Sequence, residues 1–396
     1  MSKPLFQIAV GDPTRVGDPV RGYTVYTVKT RTTSPHYRKG EFSVLRRFSD
    51  FLWLFETLTM NNPGVIVPPV PDKHPFGRFQ DTFIETRRLA LQRCLTKVTA
   101  HPVLQLDPDL RLFLESDHFA AESKNRRAEA QQQEAGSKGL LAGWTGPKFV
   151  EQDDWFDSRR AFLDSLESQL RGLSKSLEAA SKSRLDLATS IGDFALTITA
   201  LAESDLGSAM CSALARLNDL AVREKEGNEE QAKAEVVNLL NLSDEYVRFI
   251  GSVRMAFAGR VKSYERWQMA EREVGRLRAN REKMRQQGKL GDRGPQTLAE
   301  VGEVSADERQ RKPADAQAER RSRDASAEFD AVSKLVKSEF GRFEKERVEE
   351  FKGTLEKYLD GMILRQKEMI EAWEEYHAVV LKMVQKVQAP AGQQGR

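Results

Sequence analysis

Between residues 148 and 294 the chain contains no proline, and after Pro295 and Pro313 the next is Pro390. Along the same spans apolar residues step mainly by three and four. One stripe runs Phe162, Leu166, Leu170, Leu173, Leu177, Ala188, Ile191, Ala195, Ile198 and Leu201. A second runs Val236, Leu240, Tyr246, Ile250, Val253, Phe257, Tyr264, Trp267, Val274 and Leu277, and a third from Phe329 through Val336, Phe343, Leu355, Met362 and Trp373 to Val380. This spacing predicts amphipathic helices, with helix-breaking proline only where the stripes stop. At ~1.5 Å per residue, the third helix of about 70 residues is on the order of 100 Å long. A helix of that length does not fold back into one globule. Three of them pack as a bundle, and two-sided apolar faces, with Trp267 and Trp373 among them, ask for a second chain. A plain coiled-coil scaffold carries the same pattern.

The first 118 residues read differently. Leu5–Val10, Gly22–Lys29 and Phe42–Phe48 have strand composition, and Phe42, Val44, Arg46 and Phe48 alternate. Pro/Gly/Asp clusters at 11–19 and 33–40 separate them, as the loops of an antiparallel meander do. Helical segments are expected at 49–60, 79–99 and 107–117, the last opened by Asp107-Pro108 as N-cap and N1. Residues 1–118 therefore form a small α+β domain. Residues 119–150 are a linker, beginning as a polar Ala/Gln/Glu/Arg tether with little to bury; 151–388 are the helical domain and 389–396 a tail.

Charge and cysteine narrow the functional classes. Net charge is +3, with 16 basic against 12 acidic residues in 1–118 and a net acidic 151–388. That is not the uniform basicity of a nucleic-acid binder. Cys94 and Cys211 lie far apart, so neither a disulfide framework nor a zinc site is implied, and a reducing compartment fits. No apolar run approaches the ~18 residues of a membrane span, and no signal peptide opens the chain. The expectation is a soluble, intracellular protein that meets membranes from the surface.

Three places suit that surface. Arg276, Arg278, Arg281, Lys283 and Arg285 approach the gap between the second and third stripes, with Arg309, Arg311, Lys312, Arg320, Arg321 and Arg323 on the return. Each basic side chain near an anionic leaflet contributes about 1 kcal/mol, although a solvated charged loop has the same composition. Leu140, Leu141, Trp144 and Phe149 form an apolar island between Lys138 and Lys148, suited to a short helix in the lipid interface or to a plug between domains. Arg46-Arg47-Phe48-Ser49-Asp50-Phe51 sets two guanidinium groups and a ring at a strand-to-helix junction. Helix-start N–H groups, planar guanidinium forks and an apolar floor suit a phosphorylated ring. A surface Arg pair ending a strand has the same residues.

Together these features resemble a phox-homology (PX) domain joined to a BAR domain, as in the retromer-associated sorting nexins. The specific segments are Val67-Pro68-Pro69-Val70-Pro71-Asp72-Lys73, the Arg46–Phe51 stretch and Glu85-Thr86-Arg87-Arg88-Leu89-Ala90-Leu91. In the helical half they are Asp154-Trp155-Phe156, Tyr264-Glu265-Arg266-Trp267-Gln268 and Arg342-Phe343-Glu344-Lys345-Glu346. The resemblance implies a three-stranded antiparallel sheet with helices, followed by three long helices that form a six-helix bundle as a dimer. It implies phosphatidylinositol 3-phosphate as ligand, with Arg47 on the 3-phosphate, Phe48 under the inositol ring, Lys73 on the 1-phosphate and Arg87 on ring hydroxyls. Arg46 and Arg88 are the neighbouring alternatives, and Arg276 and Arg278 match bilayer-facing positions. Phe48 replaces a frequent Tyr, which keeps the platform and loses a phenol hydrogen bond. The implied partners are 3-phosphoinositide membranes, a second copy or another sorting nexin, and the retromer cargo-recognition subunits. Relatives in this subgroup often carry a long extension ahead of the PX domain; here the fold begins almost at Met1, so the resemblance supports lipid binding further than coat recruitment.

Two functions fit: a coat component that bends endosomal membrane into tubules, and a dimeric scaffold whose PX domain gives only an address. An enzyme is not expected. There is no Gly-x-x-x-x-Gly-Lys-Ser/Thr loop, His36, His74, His101, His118 and His377 lack metal spacing, and no region remains for a catalytic domain. No cofactor is implied.

Overall fold

The computed structural model describes residues 5–17, 22–73, 81–141, 149–204, 206–286 and 306–388. They form two compact units that do not follow chain order. One gathers residues 1–158 and 248–344, the other 159–247 and 345–396.

The first unit opens with the expected antiparallel meander, β1 (Phe6–Val16), β2 (Tyr23–Thr32) and β3 (Glu41–Arg47), in the order β1-β2-β3. Val10 pairs with Val28, and Val28 with Val44, so three buried valines form one row across the sheet. Because side chains alternate along a strand, that register sends Val44 and Arg46 inward and Leu45 and Arg47 outward. Against the inner face lie α1 (Phe48–Asn61), α2 (Asp81–Ala100) and α3 (Pro108–Glu115). They bury Phe51, Leu58, Leu91, Leu95, Leu110 and Phe113, each of which contributes about 1.5–3 kcal/mol of transfer free energy. Asp107 caps α3 by accepting from the Asp109 N–H at 2.8 Å, with Pro108 at N1 as expected.

The tether expectation needs correction. Residues Phe119–Leu141 are a helix, α4. Its Ala, Gln, Glu and Arg are strong helix formers despite their small apolar content. Phe119 docks the helix start, edge-on to Trp53 at 5.0 Å and to Phe113 at 5.6 Å, and Arg126 reaches Asp109 at 3.3 Å.

The α+β domain is also seated on the long helices of its own chain. Gly64, at φ +90°, meets α8 so closely that a Cβ would lie 3.0 Å from the Val332 side chain. Beside it the buried Glu339 carboxylate takes hydrogen bonds from the domain. Residues 149–153 are pinned as well. Glu151 makes a buried bidentate pair with Arg260 at 2.6 and 3.0 Å, and Asp153 meets Lys337 at 2.7 Å. Arg260 lies 3.7 Å from the Phe156 ring centre.

The helices themselves are α5 (Asp154–Ala202), α6 (Ser208–Ala234), a π-helical turn (Glu235–Leu240), α7 (Asn241–Gln286) and α8 (Ala306–Gln388). The expected second helix is thus a run of α6, π turn and α7. Pro313 is the eighth residue of α8, ahead of the third apolar stripe as expected but inside the helix, where it removes one i→i−4 backbone bond. In the second unit, Glu235 from the π turn is 2% exposed and takes Arg184 and the Tyr358 hydroxyl, each at 3.0 Å.

Burial within the chain runs out along α5 and α8. Leu173, Leu185, Leu187, Phe194 and Leu196, and likewise Leu355, Leu359, Ile363, Leu364, Ile370 and Trp373, are 40–70% exposed. One 18-residue stretch of α5 is long and apolar enough, by length and composition alone, to cross a membrane, and most of it is not buried. The expectation that no apolar run approaches a span is therefore corrected for this helix, in which single aspartates interrupt an otherwise apolar stretch.

Candidate headgroup-binding site

The junction of β3 and α1 is built from its own sequence. Arg47 has extended backbone (φ −92°, ψ 162°) and caps α1, its N–H donating to Asp50 Oδ2 at 3.0 Å and its Nε to Asp50 Oδ1 at 3.1 Å. Asp50 stands three residues on, in capping-box spacing, and was not singled out from the sequence. The Arg47 side chain remains 52% exposed, with the Tyr23 ring 5.8 Å from its guanidinium carbon.

Arg87 reaches the same junction from α2. Its guanidinium carbon lies 4.1 Å over the Phe48 ring and 4.3 Å over Phe83, and its Nη2 donates to the Asp72 carbonyl at 3.2 Å. Such stacking is favourable because the ring face is electron-rich. Burial raises the Tyr26 pKa, with Arg87 partly offsetting it by charge and hydrogen bond. Exposed Lys73 follows Asp72 directly. Phe48, Arg87 and the end of the proline loop therefore meet, next to Arg47 in the chain, and one face of Phe48 carries Arg87.

Two candidates leave this set. Arg46 is 3% exposed and donates to the carbonyls of Phe113 (2.8 Å), Leu45 (2.8 Å) and Ser116 (2.6 Å). Its guanidinium carbon lies 4.5 Å from the Phe119 ring centre. Burial lowers its pKa to about 10, so it stays cationic at neutral pH. Arg46 therefore holds the domain together and is not offered to a headgroup. Arg88 is bound to Glu85 at 2.6 Å and, through Nη1, to the Val10 carbonyl at 2.6 Å, which ties α2 to the β1 edge.

The other membrane candidates divide. Arg276 is 70% exposed beside Glu273, whereas Arg278 pairs with Glu319 at 3.0 Å and Arg281 with Asp315. The basic charge gathered at this end of the helices is thus partly neutralised across α7 and α8, by surface pairs worth about 0–1 kcal/mol. Lys283 is exposed; the Arg285 side chain, like those of Leu140 and Leu141, lies outside the described residues, as does Trp144. Phe149 is corrected. It is half-buried, edge-on to Tyr264 at 5.0 Å, and packs on the helices instead of facing lipid. No cluster of three or more His, Cys, Asp or Glu suited to a metal occurs among the described residues.

A three-stranded α+β domain followed by and seated on long helices is the architecture of the PX–BAR class of protein. Comparison with known proteins agrees. Residues 34–117 match the PX domain family, and 131–379 match the family described as Vps5 C terminal like. Sorting nexin-2 of Bos taurus is 33% identical over 391 residues, covering 93% of this chain and 71% of that protein. The vacuolar protein sorting-associated protein vps5 of Schizosaccharomyces pombe is 31% identical over 385 residues, covering 94% and 65%. The chain thus spans about two thirds of the length of these relatives. The SNX-BAR Mvp1 tetramer shares the fold at a TM-score of 0.57 and 17% identity, over 93% of this chain and 99% of that one. The chain belongs to the Vps5-like, PX–BAR sorting nexin family, a family of non-enzymatic trafficking proteins.

Proposed function

We propose that the chain is a peripheral protein of endosomal membranes that binds phosphatidylinositol 3-phosphate and, as a dimer, bends the bilayer into tubules for cargo retrieval. The observation that carries the reading is the stacking of Arg87 on Phe48 beside the loop ending in Lys73, with half-exposed Arg47 preceding Phe48 in the chain. Arg47 takes the 3-phosphate, Lys73 the 1-phosphate and Arg87 the ring hydroxyls beside Phe48. The exposed apolar side chains of α5 and α8 support a second chain as their cover. At about 25 cal/mol per Å² such surface is costly to leave in water, and its spacing by threes and fours is that of a helix partner. Either a second copy or another sorting nexin buries the same stripes, and retromer cargo-recognition subunits are the proposed coat partners. Two headgroup sites on one dimer raise avidity over a single weak contact.

Vesicle co-sedimentation tests the site. Arg47→Ala is expected to lose binding to vesicles containing the 3-phosphate lipid by at least about tenfold, since a charged hydrogen-bond pair contributes roughly 1.5–3 kcal/mol. Equal binding by both proteins would refute the assignment. Electron microscopy of the pellets then separates the two functions: tubes support a bending coat, and smooth vesicles at high coverage support the scaffold. The dimer has its own test. Leu196→Glu, at a residue 70% exposed in the chain, is expected to shift sedimentation velocity from dimer to monomer while the helical circular dichroism persists. An unchanged dimer would exclude this part of α5 from the interface.

A further inference from the structure

We infer that Glu339, on α8, is a positioning residue for headgroup recognition: the helical part of the chain holds the root of the proline loop that ends in Lys73. This rests on the headgroup reading above. Glu339 Oε2 accepts three hydrogen bonds, from Ile66 N–H at 3.1 Å, His101 Nε2 at 3.0 Å and Arg342 Nη2 at 2.7 Å. The direction of the histidine bond is fixed by its other nitrogen. His101 Nδ1 accepts the N–H groups of Val103 (3.1 Å) and Leu104 (3.3 Å), so the ring proton sits on Nε2 and points at the carboxylate. The His101 side chain is 0% exposed and that of Glu339 7%. Burial opposes the carboxylate charge, but His101, Arg342 and Ile66 outweigh it and keep the pKa below its ordinary value.

Ile66 opens the segment that ends at Lys73. Pro68, Pro69 and Pro71 fix their φ angles, and Val67 and Val70 are buried. The Pro68 carbonyl accepts from Cys94 Sγ at 3.4 Å. An orientation set at Ile66 therefore reaches Lys73 through few free torsions. At the far end Arg87 holds the Asp72 carbonyl, and Arg248 of α7 stands 3.9 Å from the Asp72 carboxylate. Upstream, Gly64 sits at φ +90°, and a Cβ there would press on the Val332 side chain at 3.0 Å. Without the helices, the Ile66 N–H and the His101 ring proton lose their common acceptor, and fewer molecules present Lys73 in the binding geometry. A fractionally populated competent loop weakens apparent affinity by that fraction.

The test uses the full chain and soluble inositol 1,3-bisphosphate, titrated calorimetrically, with thermal melts of every variant. Glu339→Gln is expected to bind about tenfold more weakly, the scale of ordering a loop and its side chain. The decisive arm is the double variant. If Glu339 acts through Lys73, then Lys73→Ala combined with Glu339→Gln binds no more weakly than Lys73→Ala alone. Glu339→Asp, which keeps the charge and withdraws it by one methylene, is expected to fall between wild type and Gln, and serves if the Gln variant does not fold. Wild-type affinity in Glu339→Gln and Glu339→Asp, or a double-variant loss equal to the product of the single losses, overturns the proposal. Wild-type binding by both Arg47→Ala and Lys73→Ala instead sinks the headgroup reading itself, whatever Glu339 does.

Discussion

Arg46→Ala is expected to destabilise the α+β domain by about 3 kcal/mol, while Arg47→Ala next to it, which loses only a half-exposed pair with Asp50, costs at most about 1 kcal/mol. Charged hydrogen bonds contribute roughly 1.5–3 kcal/mol each, and Arg46 makes three, to Phe113, Leu45 and Ser116, while stacking near Phe119. Alanine would leave those carbonyls to whatever water can enter, which limits the total. For a unit of this size the shift in melting temperature is about 6–12 °C. Arg46→Lys should recover little, since an ammonium cannot fan across three carbonyls. Urea unfolding of the two alanine variants decides the matter. A stable but lipid-blind Arg46→Ala protein would return Arg46 to the headgroup and remove it from the frame.

A second large effect is expected at Arg260. Its side chain and that of Glu151 are 6% and 5% exposed, and Ser333 Oγ accepts from its Nε at 2.9 Å. Removing one member of a buried pair strands the other charge, so Arg260→Ala should cost about 3–5 kcal/mol. Replacing both, as Arg260→Met with Glu151→Leu, should recover most of that, because no charge is then left without a partner. Denaturant midpoints of the three proteins test this. A single variant within about 0.5 kcal/mol of wild type would mean that the pair is no more than a surface contact.

The long helices, the meander and the Arg47–Phe48 junction were legible from sequence because each depends on local periodicity or spacing. The role of Arg46 was legible too, though not drawn. Phe42, Val44 and Arg46 alternate, and the period of two that buries Val44 also buries Arg46 and leaves Arg47 outside. The α4 helix was missed because a polar sequence of good helix formers lacks the apolar stripe by which helices are recognised; its apolar anchor among the described side chains is Phe119, at the very start. That Arg278 pairs with Glu319 and Arg281 with Asp315 was not legible, because the partners lie 41 and 34 residues away, on α8. The seating of Ile66 and His101 on Glu339 had no local signal, since His101 and Glu339 are 238 residues apart.

The pinning of residues 149–153 bears on the apolar island just before them. Phe149 is held against Tyr264, and Glu151 and Asp153 are held by Arg260 and Lys337. The entry to α5 is thus clamped to α7 and α8 by two ion pairs and a ring contact, so a force applied to the chain ahead of residue 149 is carried into those two helices before it reaches α5.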